Sequence, residues 1–359
     1  MTDAREETNL KMRRLTTFVC ALVTCVLPAY IAMAAEPPGI QALLDDQTGE
    51  RRQRLIEEAR KEGTLTVYTS IANAVAQKLR TDFEEKYGVR VNLWRAGDRS
   101  ILQRLGSETQ AGRPAADIVN MGSLEMEMLH REKMLQPLES PLHEGLIAGA
   151  VAPHKEWVST FVNPVVQAYN TEKVGKDELP GSYKDLLDPK WKDKLGIEAT
   201  DEEWFSSVVN SMGEEAGLKY FRDLVAGNGL SVRNGHSLLN NLVAAGEVPM
   251  GLTVYGHSVI TAQKKGAPID YILLQPRVAV SFSMGVAAKP RHPHAALLFY
   301  EYMLTDGQRI FAQSNYVPTR KDIKTPFSGV EFTIVDKAEF LDEFEKWHEL
   351  WQDIIVKRQ

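Results

Sequence analysis

Apolar positions recur with two periods along this chain, and each change of period marks a new element. Residues 64–70, TLTVYTS, are apolar and β-rich after Gly63 and predict a buried first strand. Val75, Leu79, Phe83 and Tyr87 then fall every fourth position, the spacing of one helix face, and Gly88 closes that helix. Val89, Val91 and Leu93 alternate as in a strand. A helix fits 99–110 around Ile101, Leu102 and Leu105, ADIVNMG at 116–122 is a third strand, and SLEMEMLHREKML a third helix. Strand–helix alternation implies right-handed βαβ units and a parallel sheet, with its ligand crevice at the carboxyl ends of the strands.

A second series repeats the plan. Residues 157–170 are extended, with Pro164 excluding a central helix. Strands follow at 195–199, 230–235 and 249–256, each with an amphipathic stretch behind it, and Thr200-Asp201 precede a helix carrying Trp204, Phe205, Val208 and Val209. Residues 279–290 form another extended run, and a helix starts after Pro293. Phe340, Phe344, Trp347, Trp351 and Ile354 make one stripe of a last helix, whose charged opposite face indicates packing against a lobe. The fold class is therefore α/β in two lobes, each a mostly parallel sheet flanked by helices.

The start of the chain stands outside this plan. Lys11, Arg13 and Arg14 precede an apolar run from Leu15, and Ala32-Met33-Ala34 form a small-residue cleavage signal before Ala35. This predicts a cleaved signal peptide over 1–34 and a periplasmic product; an uncleaved anchor is the alternative. Cys20 and Cys25 both lie in that segment, so the mature chain has no disulfide and no thiol chemistry. Its removal takes the net charge from −6 to −7, and 43% hydrophobic with 25% charged residues is ordinary for a soluble protein. The acidic balance gives no basic face for nucleic acid.

Catalytic signatures are missing: there is no P-loop, no G-x-S-x-G elbow and no H-E-x-x-H helix. A non-enzymatic protein without a cofactor or bound metal is expected. The candidate ligand residues sit at strand ends: Thr69, Ser70, Arg95, Arg99, Gly122 and Ser123 in the first lobe, Trp204, Asn234, Tyr255 and His257 in the second. Three helix starts would point free N–H groups at one spot there, which favours an anion, and Arg95 or Arg99 could pair with a carboxylate or phosphate. Plainer roles stand beside these. Ser70, Asp98 and Ser123 are good helix caps, Trp204 sits on an apolar-rich helix, and Asp201, Glu202 and Glu203 complement a helix dipole. His292 and His294 fit a structural role in the turn around Pro293.

The order GTLTVYTS, PAADIVNMGS, SYKDLLDPKWKDKLGI, AAGEVPMGLTVYGHS, GVAAKPRHPHAALLFYEYMLTDGQ and SNYVPTR resembles the periplasmic solute-binding proteins of ABC importers, the ferric-ion-binding branch above all. The resemblance implies a two-lobed clamp of type II. Lobe one would comprise 35–158 and 282–328, and lobe two 159–281 and 329–359 with the C-terminal helix. Crossing strands would lie near 157–162 and 279–284. It implies a monomer that closes on a small solute and delivers it to an inner-membrane ABC permease, or presents it to a receptor as a sensor. Ferric relatives commonly use a histidine, a glutamate and a tyrosine pair; these fall here on Ala72, Gly122 and Gly256-His257, with Tyr255 just before. The expected cargo is therefore a small anionic organic or phosphorylated solute. Ferric iron is the alternative, with Tyr169 and Tyr316 available to a rearranged site.

Overall fold

A computed structural model describes residues 40–45 and 50–357; the expected signal segment lies outside them. Eleven strands make up the sheet: β1 (Thr64–Thr69), β2 (Arg90–Arg95), β3 (Ile118–Gly122), β4 (Leu135–Gln136), β5 (Val158–Asn170), β6 (Leu195–Glu198), β7 (Ser231–Arg233), β8 (Met250–Tyr255), β9 (Ile269–Ile272), β10 (Ala279–Ala287) and β11 (Val317–Pro318). The main path runs β2-β1-β3-β10-β5-β8-β6-β7. β1 pairs parallel with β2 and β3, and β6 parallel with β7 and β8, as the strand–helix alternation predicts. β10 and β5 enter antiparallel to their neighbours.

β5 joins the two halves. Its thirteen residues are all buried. Residues up to Pro164 pair with β10 and β11, and from Val165 onward the same strand pairs with β8 and β9. Pro164 donates no hydrogen bond, and it sits where the strand changes partners, with Val165 N–H taken up by the Val278 carbonyl.

Each half buries apolar side chains on both faces of its part of the sheet, the layered arrangement expected of α/β units. In the first half, Phe83, Phe161, Leu297, Tyr302 and Phe311 pack on one side, and Tyr68, Ile101, Met121, Met126 and Trp157 on the other. In the second, Trp191, Trp204, Phe205, Phe221 and Trp351 oppose Val166, Leu239, Val254 and Val259.

The C-terminal stripe is buried as expected but is not one helix. It breaks at Glu343 into Lys337–Asp342 and Phe344–Trp351 and ends in a wider turn over Gln352–Val356. The second of these helices packs into the Trp204–Trp351 core, whereas the first also reaches the first half. There Arg131 on helix Ser123–Arg131 pairs with Asp342 at 2.7 Å and donates to the Ala338 carbonyl at 2.9 Å. The helix after Pro293 likewise divides, into Pro293–Met303 and Asp306–Gln313.

Candidate functional site

A cavity of about 600 Å³ opens between the halves at the carboxyl ends of β2, β3, β6, β7 and β8. Asp98, Arg99, Gly122, Ser123 and Glu125 line it from the first half, and Thr200 to Glu203, His236 and Tyr255 from the second. Phe282 of β10 and the C-terminal Phe340 and Phe344 complete its walls.

Acids dominate the first wall. Helices start at Asn73, Asp98 and Ser123 as expected, but their cap positions are Ala72, Gly97 and Gly122, and none makes a side-chain cap bond. Ser70, Asp98 and Ser123 are thus not caps; the Ser123 hydroxyl instead lies 2.6 Å from that of Ser283. Asp98 Oδ1 is buried with no partner, and burial raises its carboxyl, offset by the Ser70 hydroxyl, the Gly122 N–H and Arg95. Glu125 is pushed up to about 7 by burial and by repulsion from Asp98 and Glu203, with Lys337 opposing. Gly122 makes this pairing possible: a Cβ there would collide with Glu125 Oε2 and stand 3.3 Å from Asp98 Oδ2. The resemblance puts a glutamate ligand at 122; here Glu125, one turn on, brings a carboxylate over that position.

The second wall is set by the chain itself. Gly235, at φ 114°, holds a backbone open to glycine, and its N–H donates to Glu198 Oε1 at 2.9 Å. Glu198 Oε2 accepts from the Thr200 N–H and hydroxyl, so one carboxylate ties together the loops after β6 and β7. His236, first in its helix, contacts the Thr253 carbonyl through Nδ1 at 3.1 Å. A carbonyl only accepts, so Nδ1 carries a proton, and in the neutral ring Nε2 holds the lone pair. Nε2 lies 3.5 Å from Asp201 Oδ1. Asp201 Oδ2 is buried without a partner, and burial lifts this carboxyl to about 6, against the pull of His236. Tyr255 stacks on His236 at 3.8 Å, and burial together with Asp201, Glu203, Glu198 and Asp98 holds its phenol well above the usual range.

The charge balance is therefore negative. Glu203 is neutralised by Lys337 at 2.6 Å, and Glu202 lies 2.9 Å from His348. Asp98, Glu125 and Asp201 have no Lys or Arg ion pair among the described residues, Asp201 having only His236 at 3.5 Å, and Arg99 is the only Arg or Lys among the described residues that line the cavity. The anion expected from converging helix starts meets the opposite sign, because acids in or beside the first turns of those helices already answer the N–H groups. What the site offers is lone pairs: carboxylates, an imidazole nitrogen and a phenol.

Of the residues singled out from the sequence, Arg99, Gly122, Ser123 and Tyr255 line this cavity. Ser70 adjoins Asp98. Arg95 turns back to the carbonyls of Ile71 and Ser70 at 3.3 and 3.5 Å. His257 lies just behind Tyr255, stacked on Tyr316 at 4.3 Å, with Nδ1 unpartnered and its pKa lowered to about 4 by burial and by His236. Thr69 and Trp204 lie in the cores, the Trp204 indole donating to the Tyr183 hydroxyl at 3.1 Å, and Asn234 is exposed before Gly235. Asp98 and Asp201 line the cavity as well as standing at helix starts, and Glu125 and His236 had no signal of their own in the sequence. His292 and His294 are structural, bonded to Asp117 at 2.9 Å and Glu62 at 2.8 Å.

Residues 114–342 match the family model described as bacterial extracellular solute-binding protein. The chain belongs to this family. The Fe(3+)-binding periplasmic protein of Serratia marcescens is 24% identical over 263 residues, covering 70% of this chain and 77% of its own. Iron uptake protein A1 of Synechocystis sp. is 24% identical over 270 residues, 70% and 74% of the two chains. Among solved structures, iron-bound HitA from Pseudomonas aeruginosa superposes with a TM-score of 0.71 at 24% identity, over 81% of this chain and 99% of that one. AfuA from Actinobacillus pleuropneumoniae with fructose-6-phosphate gives 0.66 at 20%, over 82% and 99%. The solute-binding protein resembles the ferric-binding branch and has the fold of these clamps and a part in ABC-type transport, in which such proteins hand a small ligand to a permease. The Serratia relative is periplasmic by name.

Proposed function

We propose that this solute-binding protein captures a cation in the cleft, with ferric iron as its cargo, and delivers it to an inner-membrane permease from the periplasm. The observation that carries this reading is the set Asp98, Glu125 and Asp201, three acids without a Lys or Arg ion pair among the described residues, gathered with the His236 imidazole and the Tyr255 phenol. Fe(III) is hard and suits carboxylate and phenolate oxygen. Its charge would offset the burial and repulsion that raise the Glu125 and Asp201 carboxyls and would draw the proton off Tyr255. The names of the Serratia and Synechocystis relatives point the same way. The lobes expected from the sequence, 35–158 with 282–328 and 159–281 with 329–359, would close by flexing β5 and β10, and cargo touching both walls would favour the closed form.

A second reading rests on size. A cavity of 600 Å³ walled by Phe282, Phe340 and Phe344 has room for an organic amine, whose ammonium the same acids would hold. Protein purified without refolding, titrated with ferric citrate and with a panel of amines and sugar phosphates, separates these. Iron should produce a visible phenolate-to-iron absorption band that Tyr255→Phe removes. Thermal stabilisation by sugar phosphates alone would overturn the cation reading, and stabilisation by amines without iron binding would select the second.

A further inference from the structure

Helix Ser123–Arg131 carries a second set of ligand-type side chains that the cleft does not use. Glu127 and His130 stand three residues apart, hence on one helix face, and Glu127 lies two residues beyond Glu125, turned away from it. The loop before β5 brings His154 and Glu156 against them. Glu127, His130 and His154 each offer a ligand atom within 4.8 Å of the other two. His154 Nε2 is 3.1 Å from Glu127 Oε2, and the two imidazoles are stacked 3.5 Å apart at 5°.

Two details set this cluster apart from an ordinary ion-pair patch. His130 Nδ1 and Glu156 Oε2 approach to 2.9 Å, yet both are buried and neither forms a hydrogen bond, so their directions do not suit donor and acceptor. Separations of 2.9 and 3.1 Å are close to those of neighbouring ligands on one ion, about 3.0–3.4 Å for bonds of roughly 2.1 Å. Glu127 is also held from outside, as in a built site: it is 4% exposed and its Oε2 accepts the Trp157 indole N–H at 3.1 Å. Its nearest full cation, Arg131, stands off at 3.8 Å.

We infer that Glu127, His130 and His154, with Glu156 beside them, bind a divalent transition-metal ion of the zinc type, apart from the cleft. Two imidazoles and a carboxylate suit such a borderline ion better than a hard trivalent one. In the empty protein the Glu156 N–H donates to His154 Nδ1 at 3.2 Å, so Nε2 carries the ring proton. Metal binding moves that proton to Nδ1 and gives up this long bond, freeing the Nε2 lone pair for the ion.

The test uses the full chain with Asp201→Asn and His236→Ala, which disable the cleft, so its result is independent of what the cleft carries. Zn²⁺ is titrated calorimetrically and Co²⁺ by visible absorption. One equivalent of each should bind, Co²⁺ giving an intense band near that of four- or five-coordinate nitrogen–oxygen sites. Adding His130→Ala and His154→Ala should abolish both. His154→Gln alone, which disturbs packing less, should weaken Zn²⁺ at least tenfold, as should Glu127→Gln. Failure of the cleft-disabled protein to bind either ion overturns the inference, as does unchanged affinity in the His154→Gln protein.

Discussion

The two walls of the cleft solve different problems. The second wall is organised before any cargo arrives: Glu198 ties two loops, the Thr253 carbonyl fixes the His236 tautomer, and Asp201 and Tyr255 stand around the exposed lone pair. The first wall is two acids crowded over a glycine, with no hydrogen-bond frame of comparable completeness. On the proposed function, one wall is a shaped ligand set and the other holds repulsion that a cationic cargo would relieve. The difference teaches that the two walls weigh differently on affinity and on resting stability, and each can be perturbed alone.

The largest effect should come from dismantling the shaped wall. Asp201→Asn combined with His236→Ala should weaken ferric iron by more than about 100-fold, measured by competition with citrate. An affinity within threefold of the parent would mean that the second wall does not hold the cargo. Glu125→Gln tests the crowded wall. It should weaken iron by about tenfold while stabilising the empty protein by on the order of 1–3 kcal/mol, because a buried acid without a basic partner is replaced by a neutral amide. Loss of stability in that variant would contradict the repulsion argument.

Titration sharpens the same contrast. Glu125 and Asp201 have folded pKa values raised to about 7 and about 6. Below about pH 3 both are protonated, folded or unfolded, and cost nothing. As the pH rises the unfolded chain ionises first, so these two groups make stability fall between about pH 4 and 7, each by of order 3 kcal/mol. Chemical denaturation of the empty protein at pH 5 and pH 7.5, compared with Glu125→Gln and with Asp201→Asn, should show a shallower fall in each variant. The smallest effect is expected at the mouth. Arg131→Ala removes a partly exposed ion pair with Asp342 worth about 1 kcal/mol or less, so affinity should change under threefold while solution scattering reports a slightly more open average.

Most of the fold was legible from period alone, because strands and helices that each bury one side leave alternating and four-residue spacings in the chain. The breaks at Glu343 and between Met303 and Asp306 were not, since the apolar stripe continues across both. The cavity lies at strand ends, where the sequence placed its candidates, and Gly122, Ser123, Arg99 and Tyr255 line it, but its acidic character was not legible. Asp98, Glu125 and Asp201, however, are the residue types that any helix start favours, and nothing local distinguishes an acid that faces solvent from one sealed against another acid. That distinction arises only when two segments far apart in the chain bury the same space. Trp204 misled for the converse reason: an aromatic on an apolar-rich helix looks the same whether it covers a ligand or, as here, fills a core.

The strand shared by both halves has a consequence for how this molecule can be divided. Because β5 supplies hydrogen-bonding edges to both ends of the sheet, a cut anywhere between 158 and 170 leaves two fragments that each lack a central rung. Neither fragment should fold when expressed by itself, whereas co-expressed pieces that overlap across this stretch, or a circularly rearranged gene that keeps it whole, should reassemble.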